Sequence, residues 1–233
     1  MRFHIIISSL LLTVSAFAAE PEALERRALR AFAAGEWASA QALAGLVTDA
    51  DPTDTGAHAR LIGAAAMRGD SAAVPKAVER ALGAGVPFGA LTDSLQCSLR
   101  QAEGYALYPA ILEDIASAMP YLRRPVAARL LDFYIRRRDG EKMVSYANIL
   151  LAGRSDSPEY LDALAWGLLY CGSRDQAEAT WRQALAADPG YAPAMIALAS
   201  LLGDCDEAKS LLIKADSIAP SPAIKAHLTN LRP

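Results

Sequence analysis

The sequence predicts an all-α solenoid of about six helix–turn–helix repeats closed by a C-terminal capping helix. Three observations predict it. Gly35, Gly69, Gly104, Gly140, Gly172 and Gly203 follow one another at intervals of 34, 35, 36, 32 and 31 residues, a period at which each repeat is one helical hairpin. Compact residues run in phase with them: Ala40, Val74, Pro109, Ser145, Ala177 and Ala208 five residues on, and Val47, Ala81, Ala116, Ala152, Ala184 and Ala215 twelve residues on. A proline follows each glycine after sixteen to eighteen residues, at Pro52, Pro87, Pro120, Pro158, Pro189 and Pro220. A glycine between two antiparallel helices can take positive φ and end the first of them. Small residues at a fixed depth let neighbouring helices approach closely, and a proline cannot continue the second helix, so it marks the repeat boundary.

Taken in order, the pattern predicts paired helices near 21–34 and 37–50, 54–68 and 71–84, 89–103 and 106–119, 125–138 and 141–153, 158–171 and 174–187, and 191–202 and 205–218. A last helix over about 222–231 opens with Ser221-Pro222, a capping serine followed by a proline at the first helical position. Its Ile224, Leu228 and Leu231 lie on one face and are expected to cover the open apolar end of the stack, with Lys225 and His227 outward. Pro75 and Pro109 fall near the starts of second helices, where the backbone amide has no helical acceptor. No strand pattern or long linker interrupts the array, so residues 20–233 are expected to form a single domain.

The first stretch is different. Met1-Arg2-Phe3-His4 is a short basic start, and Ile5 to Phe17 is an apolar run. Ala16-Phe17-Ala18 offers small residues at the positions a signal peptidase reads. Residues 1–19 therefore read as a secretory signal peptide that is cleaved, the apolar run being shorter than the ~20 residues of a membrane span. The mature chain is expected to carry no transmembrane segment, and the absence of cysteine before Cys97 argues against a lipid anchor.

The chain holds 23 basic and 26 acidic residues; without Arg2 the balance is 22 against 26, an ordinary acidic surface that argues against a nucleic-acid partner. Catalytic constellations are missing. His58 and His227 stand at opposite ends of the array and are expected at the surface. No C-x-x-C, H-E-x-x-H, G-x-S-x-G or S-x-x-K spacing occurs, and no phosphate-binding glycine loop. The expectation is a non-enzyme with no cofactor and no metal. Of the three cysteines, Cys171 and Cys205 lie 34 residues apart beside turn glycines. Either they are bridged or they are two small packed residues.

The phased residues resemble the tetratricopeptide repeat (TPR) family. The match is best from Pro158 to Pro189, where Leu164-Ala165, Gly172, Ala177, Trp181, Ala184-Leu185 and Pro189 fit the family's large–small pair, turn glycine, alanine, aromatic, alanine and proline. The first repeat matches through Ala28, Gly35, Ala40, Val47 and Pro52. The last matches through Ala208, Leu212, Ala215 and Pro220. Repeats two to four depart more: Arg100 and Arg136 replace an apolar residue, and Pro109 and Ser145 replace the alanine.

The resemblance implies a concave groove lined by the first helix of each hairpin. Counting back 13, 10, 6 and 3 residues from each turn glycine gives a smooth floor in repeat two, Gly56, Ala59, Gly63 and Ala66. Repeat three gives Leu91, Ser94, Ser98 and Gln101, repeat four Ala127, Leu130, Tyr134 and Arg137, and repeat five Glu159, Asp162, Trp166 and Leu169. Tyrosine, tryptophan and arginine are the residues that anchor interfaces, so Tyr134, Arg137, Glu159, Asp162 and Trp166 are the candidate partner-binding set. The alternative for Tyr134 and Trp166 is packing between hairpins. The lysines and asparagines of the family's chaperone-tail clamp are absent at these positions. Arg136-Arg137-Arg138 sits at a helix C-terminus, where cations favour the dipole. The sharper reading of that run is an anion site. The whole therefore points to an exported scaffold that binds a protein or peptide, and the resemblance implies a bacterial envelope, where exported proteins of the family usually act. The runner-up is an accessory subunit of an envelope enzyme or polymer-processing complex that binds an anionic ligand.

Overall fold

A computed structural model describes residues 21–230. The expected signal peptide, residues 1–19, and Leu231 of the expected capping face lie outside the described residues. Thirteen α-helices are present among the described residues, with no strand. They are α1 Pro21–Ala33, α2 Trp37–Ala50, α3 Thr55–Met67, α4 Ala73–Gly83, α5 Phe88–Gln101, α6 Tyr108–Ala118, α7 Arg123–Arg137, α8 Gly140–Leu151, α9 Pro158–Tyr170, α10 Arg174–Ala187, α11 Ala192–Leu202, α12 Asp206–Ile218 and α13 Pro222–Asn230. Short 3₁₀ turns, Tyr105–Leu107 and Pro120–Leu122, precede α6 and α7. The chain divides into two compact units, at Val126 and Ala127.

Each hairpin turn is built on one left-handed residue, and it is not always the phased glycine. Gly35, Gly69, Gly172 and Gly203 have φ between 72° and 81°. In the third and fourth hairpins the left-handed residues are Glu103 (φ 57°) and Arg138 (φ 55°), ahead of Gly104 and Gly140. This corrects the expectation that all six glycines occupy equivalent turns. From 35 to 172 the left-handed positions are spaced by 34, 34, 35 and 34 residues, a tighter period than the glycines themselves keep. In the first five hairpins the following amide reaches the carbonyl five residues back: Glu36 to Ala31, Asp70 to Ala65, Gly104 to Leu99, Asp139 to Tyr134 and Ser173 to Leu168. These bonds satisfy carbonyls that the helix end would otherwise leave without a donor. A non-glycine residue in this conformation costs roughly 1–2 kcal/mol, which the cap offsets in part.

The same shift explains the departures in repeats three and four. Where glycine is the left-handed residue, the positions five and twelve beyond it are buried: Ala40 and Val47, Val74 and Ala81, Ala177 and Ala184, Ala208 and Ala215. Pro109, Ala116, Ser145 and Ala152 are not buried. Counted from Glu103 and Arg138, the equivalent positions are Tyr108, Ile115, Met143 and Leu150, and all four are buried.

In the first unit Phe32 packs with Ala31, Ala40 and Ala64, with the Trp37 ring meeting it edge to face at 5.4 Å. Two of the four repeat-two positions expected as a smooth floor, Ala59 and Gly63, are packing positions instead. Ala59 is buried, and a Cβ at Gly63 would come 3.1 Å from the Phe32 ring. His58, expected at the surface, is buried; its Nε2 donates to the Pro52 carbonyl at 2.9 Å and ties α3 to the preceding repeat boundary. In the second unit Trp181 is fully buried among Leu161, Ala165, Ala177, Ala184 and Leu198. Ile224 of α13 is buried against Met195, Leu212 and Ala215, with Leu228 packed beside it, which is the capping role expected of this helix. Cys97, Cys171 and Cys205 are free thiols, and the Cys205 sulfur accepts the Ala208 amide at 3.4 Å as the cap of α12. Among the described residues no helix is long and apolar enough to cross a membrane.

Candidate functional site

The second unit contains a cavity of about 430 Å³, lined by α7, α8, α9 and the residue that precedes α11. Helix α9 supplies most of it. Pro158 in its first turn suits a position where no amide donor is needed, and Glu159, Asp162, Ala163, Trp166 and Tyr170 follow at three-to-four-residue spacing on one face. Helix α7 adds Leu131, Asp132 and Ile135, α8 adds Met143, and Tyr191 enters from the repeat boundary.

Glycine sets the distance between α8 and α9. A Cβ on Gly140 would lie 2.7 Å from the Gly167 carbonyl oxygen and 2.9 Å from the Tyr170 Cβ. A Cβ on Gly167 would lie 3.0 Å from that of Met143. The two backbones therefore meet without intervening side chains. That is the reason for Gly140, whose φ is not left-handed.

Three of the five expected site residues meet in this cavity: Glu159, Asp162 and Trp166. Tyr134 and Arg137 are not on its lining. The Tyr134 ring stacks on Tyr146 at 5.7 Å, and the Arg137 guanidinium lies 4.5 Å from the Phe133 ring centroid. The cause is again the turn. Counting back from the left-handed Arg138 rather than from Gly140 gives Pro125, Ala128, Asp132 and Ile135, and the last two line the cavity. The fifth repeat was legible because Gly172 is itself the left-handed residue. Tyr160, Tyr170 and Tyr191 were also missed; only Tyr191, beside the boundary Pro189, carried a signal in its position.

The site is aromatic and acidic. Trp166 is half-buried, edge to face on Trp181 at 5.2 Å and tilted against Tyr170 at 5.9 Å. Ile135 and Tyr170 are exposed at its margin. Asp162 Oδ1 accepts Trp181 Nε1 at 2.7 Å, so the core tryptophan orients a cavity carboxylate. Burial pushes the Asp162 pKa up, and the Trp181 bond only partly offsets it. Glu159 is exposed and held below the usual carboxylate range, first by the Ser157 hydroxyl, which donates to it at 2.7 Å. The Tyr191 hydroxyl is pushed up to about 12, first by desolvation and then by the negative charges of Asp162 and Glu159.

The raised Asp162 pKa has a consequence for stability. The folded chain holds this proton more tightly than the unfolded chain, so the group's contribution falls as pH rises from the ordinary aspartate range through the raised value. Asp162→Asn keeps the acceptor for Trp181 and removes the buried charge. It is expected to melt at a higher temperature than the parent at neutral pH, with the gap closing as pH drops below the ordinary aspartate range. Equal melting temperatures at neutral pH would contradict this.

No family model matches the sequence, and no curated protein matches it. Solved structures do. The C-terminal part of a TPR repeat-containing protein from Cytophaga hutchinsonii is 13% identical with a TM-score of 0.50, over 88% of this chain and 84% of that one. A chain of the APC/C hetero-tetramer Cut9-Hcn1 is 16% identical with a TM-score of 0.50, over 96% of this chain and 45% of that one. The helical hairpins, their common caps and these likenesses agree that the chain has a TPR-like fold.

Proposed function

We propose that this chain is an exported, non-enzymatic scaffold of a bacterial envelope that holds a segment of a protein partner in the cavity of its second unit. One observation carries the reading: Trp166, Tyr170 and Ile135, all at least partly exposed, converge on a single cavity. Rigid aromatic area at the centre of a concave surface is what interface anchors require. Export rests on the basic start and apolar run of the first nineteen residues. Glu159, Asp162 and Trp166 are the binding residues of this reading, joined by Asp132, Ile135 and Tyr170 in place of Tyr134 and Arg137. An accessory subunit that binds an anionic ligand is the weaker reading, because the cavity lining carries three carboxylates.

The test is a partner isolated from envelope extract and then titrated in purified form. Trp166→Ala is expected to weaken it at least about tenfold, as loss of an interface anchor does, with helical content unchanged. An unchanged affinity would remove the cavity from the interface.

A further inference from the structure

We infer that the cavity of the second unit receives a lysine or arginine side chain from an extended, basic polypeptide segment; this rests on the reading that the cavity is the partner site. Asp132, Glu159 and Asp162 supply three carboxylates around one space of about 430 Å³. Among the described residues, no lysine, arginine or histidine lines it. Trp166, Tyr160 and Tyr170 add aromatic surface to the same walls, and a cation over an aromatic face is attracted by the ring quadrupole, more strongly when water is excluded. Carboxylates and aromatic faces on one cavity are complementary to a long side chain with an apolar stem and a cationic head.

The carboxylates divide the work by depth. Glu159 and Asp132 are exposed at the rim, where they steer a cation toward the opening. Asp162 is half-buried, and its Oδ1 is fixed by Trp181. Among the described residues no donor is placed on its Oδ2, which leaves that oxygen for the guest. A buried carboxylate with one matched donor is costly when the site is empty, and a cation entering beside it relieves that cost. A polypeptide suits the site better than a small free amine, because Ile135 and Tyr170 of the same lining leave apolar surface exposed that a free amine would not cover.

The test uses the full chain and a library of fluorescein-labelled nonapeptides in which each position is scanned through all residue types, read by fluorescence anisotropy. Lysine or arginine is expected to be selected at one position, at least tenfold over glutamine, with glutamate disfavoured further. Glu159→Gln and Asp162→Asn are expected each to weaken the selected basic peptide at least fivefold, and to leave its glutamine version unchanged. Glu79→Gln, an exposed acid of the first unit, is expected to change nothing. Raising the salt concentration should weaken the basic peptide selectively.

If the selected peptides are neutral or acidic yet still lose at least tenfold with Trp166→Ala, the cationic guest is wrong and the partner site stands. If no peptide binds, or binding ignores Trp166→Ala, both fall together. Spermidine that displaces the peptide at equal concentration would overturn the polypeptide as occupant.

Discussion

Trp181→Ala is expected to cost the second unit about 3–5 kcal/mol, the range for deleting a buried aromatic ring and leaving a cavity behind. Trp181 is wholly buried in α10 between Leu161, Ala165 and Leu198. Alanines at 165, 177, 184, 194 and 197 surround it, so the neighbours have little side chain with which to refill the space. The substitution also takes the donor away from Asp162 and leaves a half-buried carboxylate unmatched. Against a total of roughly 5–15 kcal/mol for a domain, such a loss consumes much of the stability. Urea unfolding followed by circular dichroism measures it, and a loss below about 1 kcal/mol would contradict the packing described.

Gly140→Ala tests a sign. Helix propensity alone predicts a gain for alanine over glycine, about 0.5–1 kcal/mol in a helix interior and less at the first helical position, which Gly140 occupies. The geometry predicts the opposite. The added methyl would sit 2.7 Å from the Gly167 carbonyl oxygen, so α8 and α9 must part, at about 1–3 kcal/mol for overpacking. Gly45 of α2 is the internal control. A Cβ there meets nothing within 4 Å, so Gly45→Ala is expected to stabilise. Matched thermal melts of the two variants separate the explanations, and a Gly140→Ala protein as stable as its parent would rule out the close approach.

Helix number, hairpin pairing and the capping helix were all legible in the sequence, because they follow from periodicity and from proline boundaries. The lining of the cavity was legible only in part, and the reason lies in two residues. A left-handed residue is written as glycine at 35, 69 and 172, but as glutamate at 103 and arginine at 138. Gly104 and Gly140 stand one and two positions further on and hold the period for a different purpose. A Cβ on Gly104 would strike the Met67 sulfur, and one on Gly140 would strike α9. Counting from them rotates the predicted face of α7 by two residues, which exchanges Asp132 and Ile135 for Tyr134 and Arg137. His58 was misplaced for a related reason. Its burial depends on a carbonyl six residues away in sequence, and the pattern of apolar residues does not record such a partner.

The bare glycine crossing of α8 and α9 also bears on how the cavity meets a guest. Most helix pairs touch through side chains, whose rotamers can adjust and let the backbones slide. Here the Gly140 and Gly167 backbones touch directly, and no rotamer is available to take up a displacement. Met143 on one helix and Trp166 with Tyr170 on the other are thus held at a fixed separation before any ligand arrives. These two walls are preorganised at the backbone, and little backbone ordering entropy would remain to be lost between them on binding. Selectivity is then set by what fits those walls as they stand.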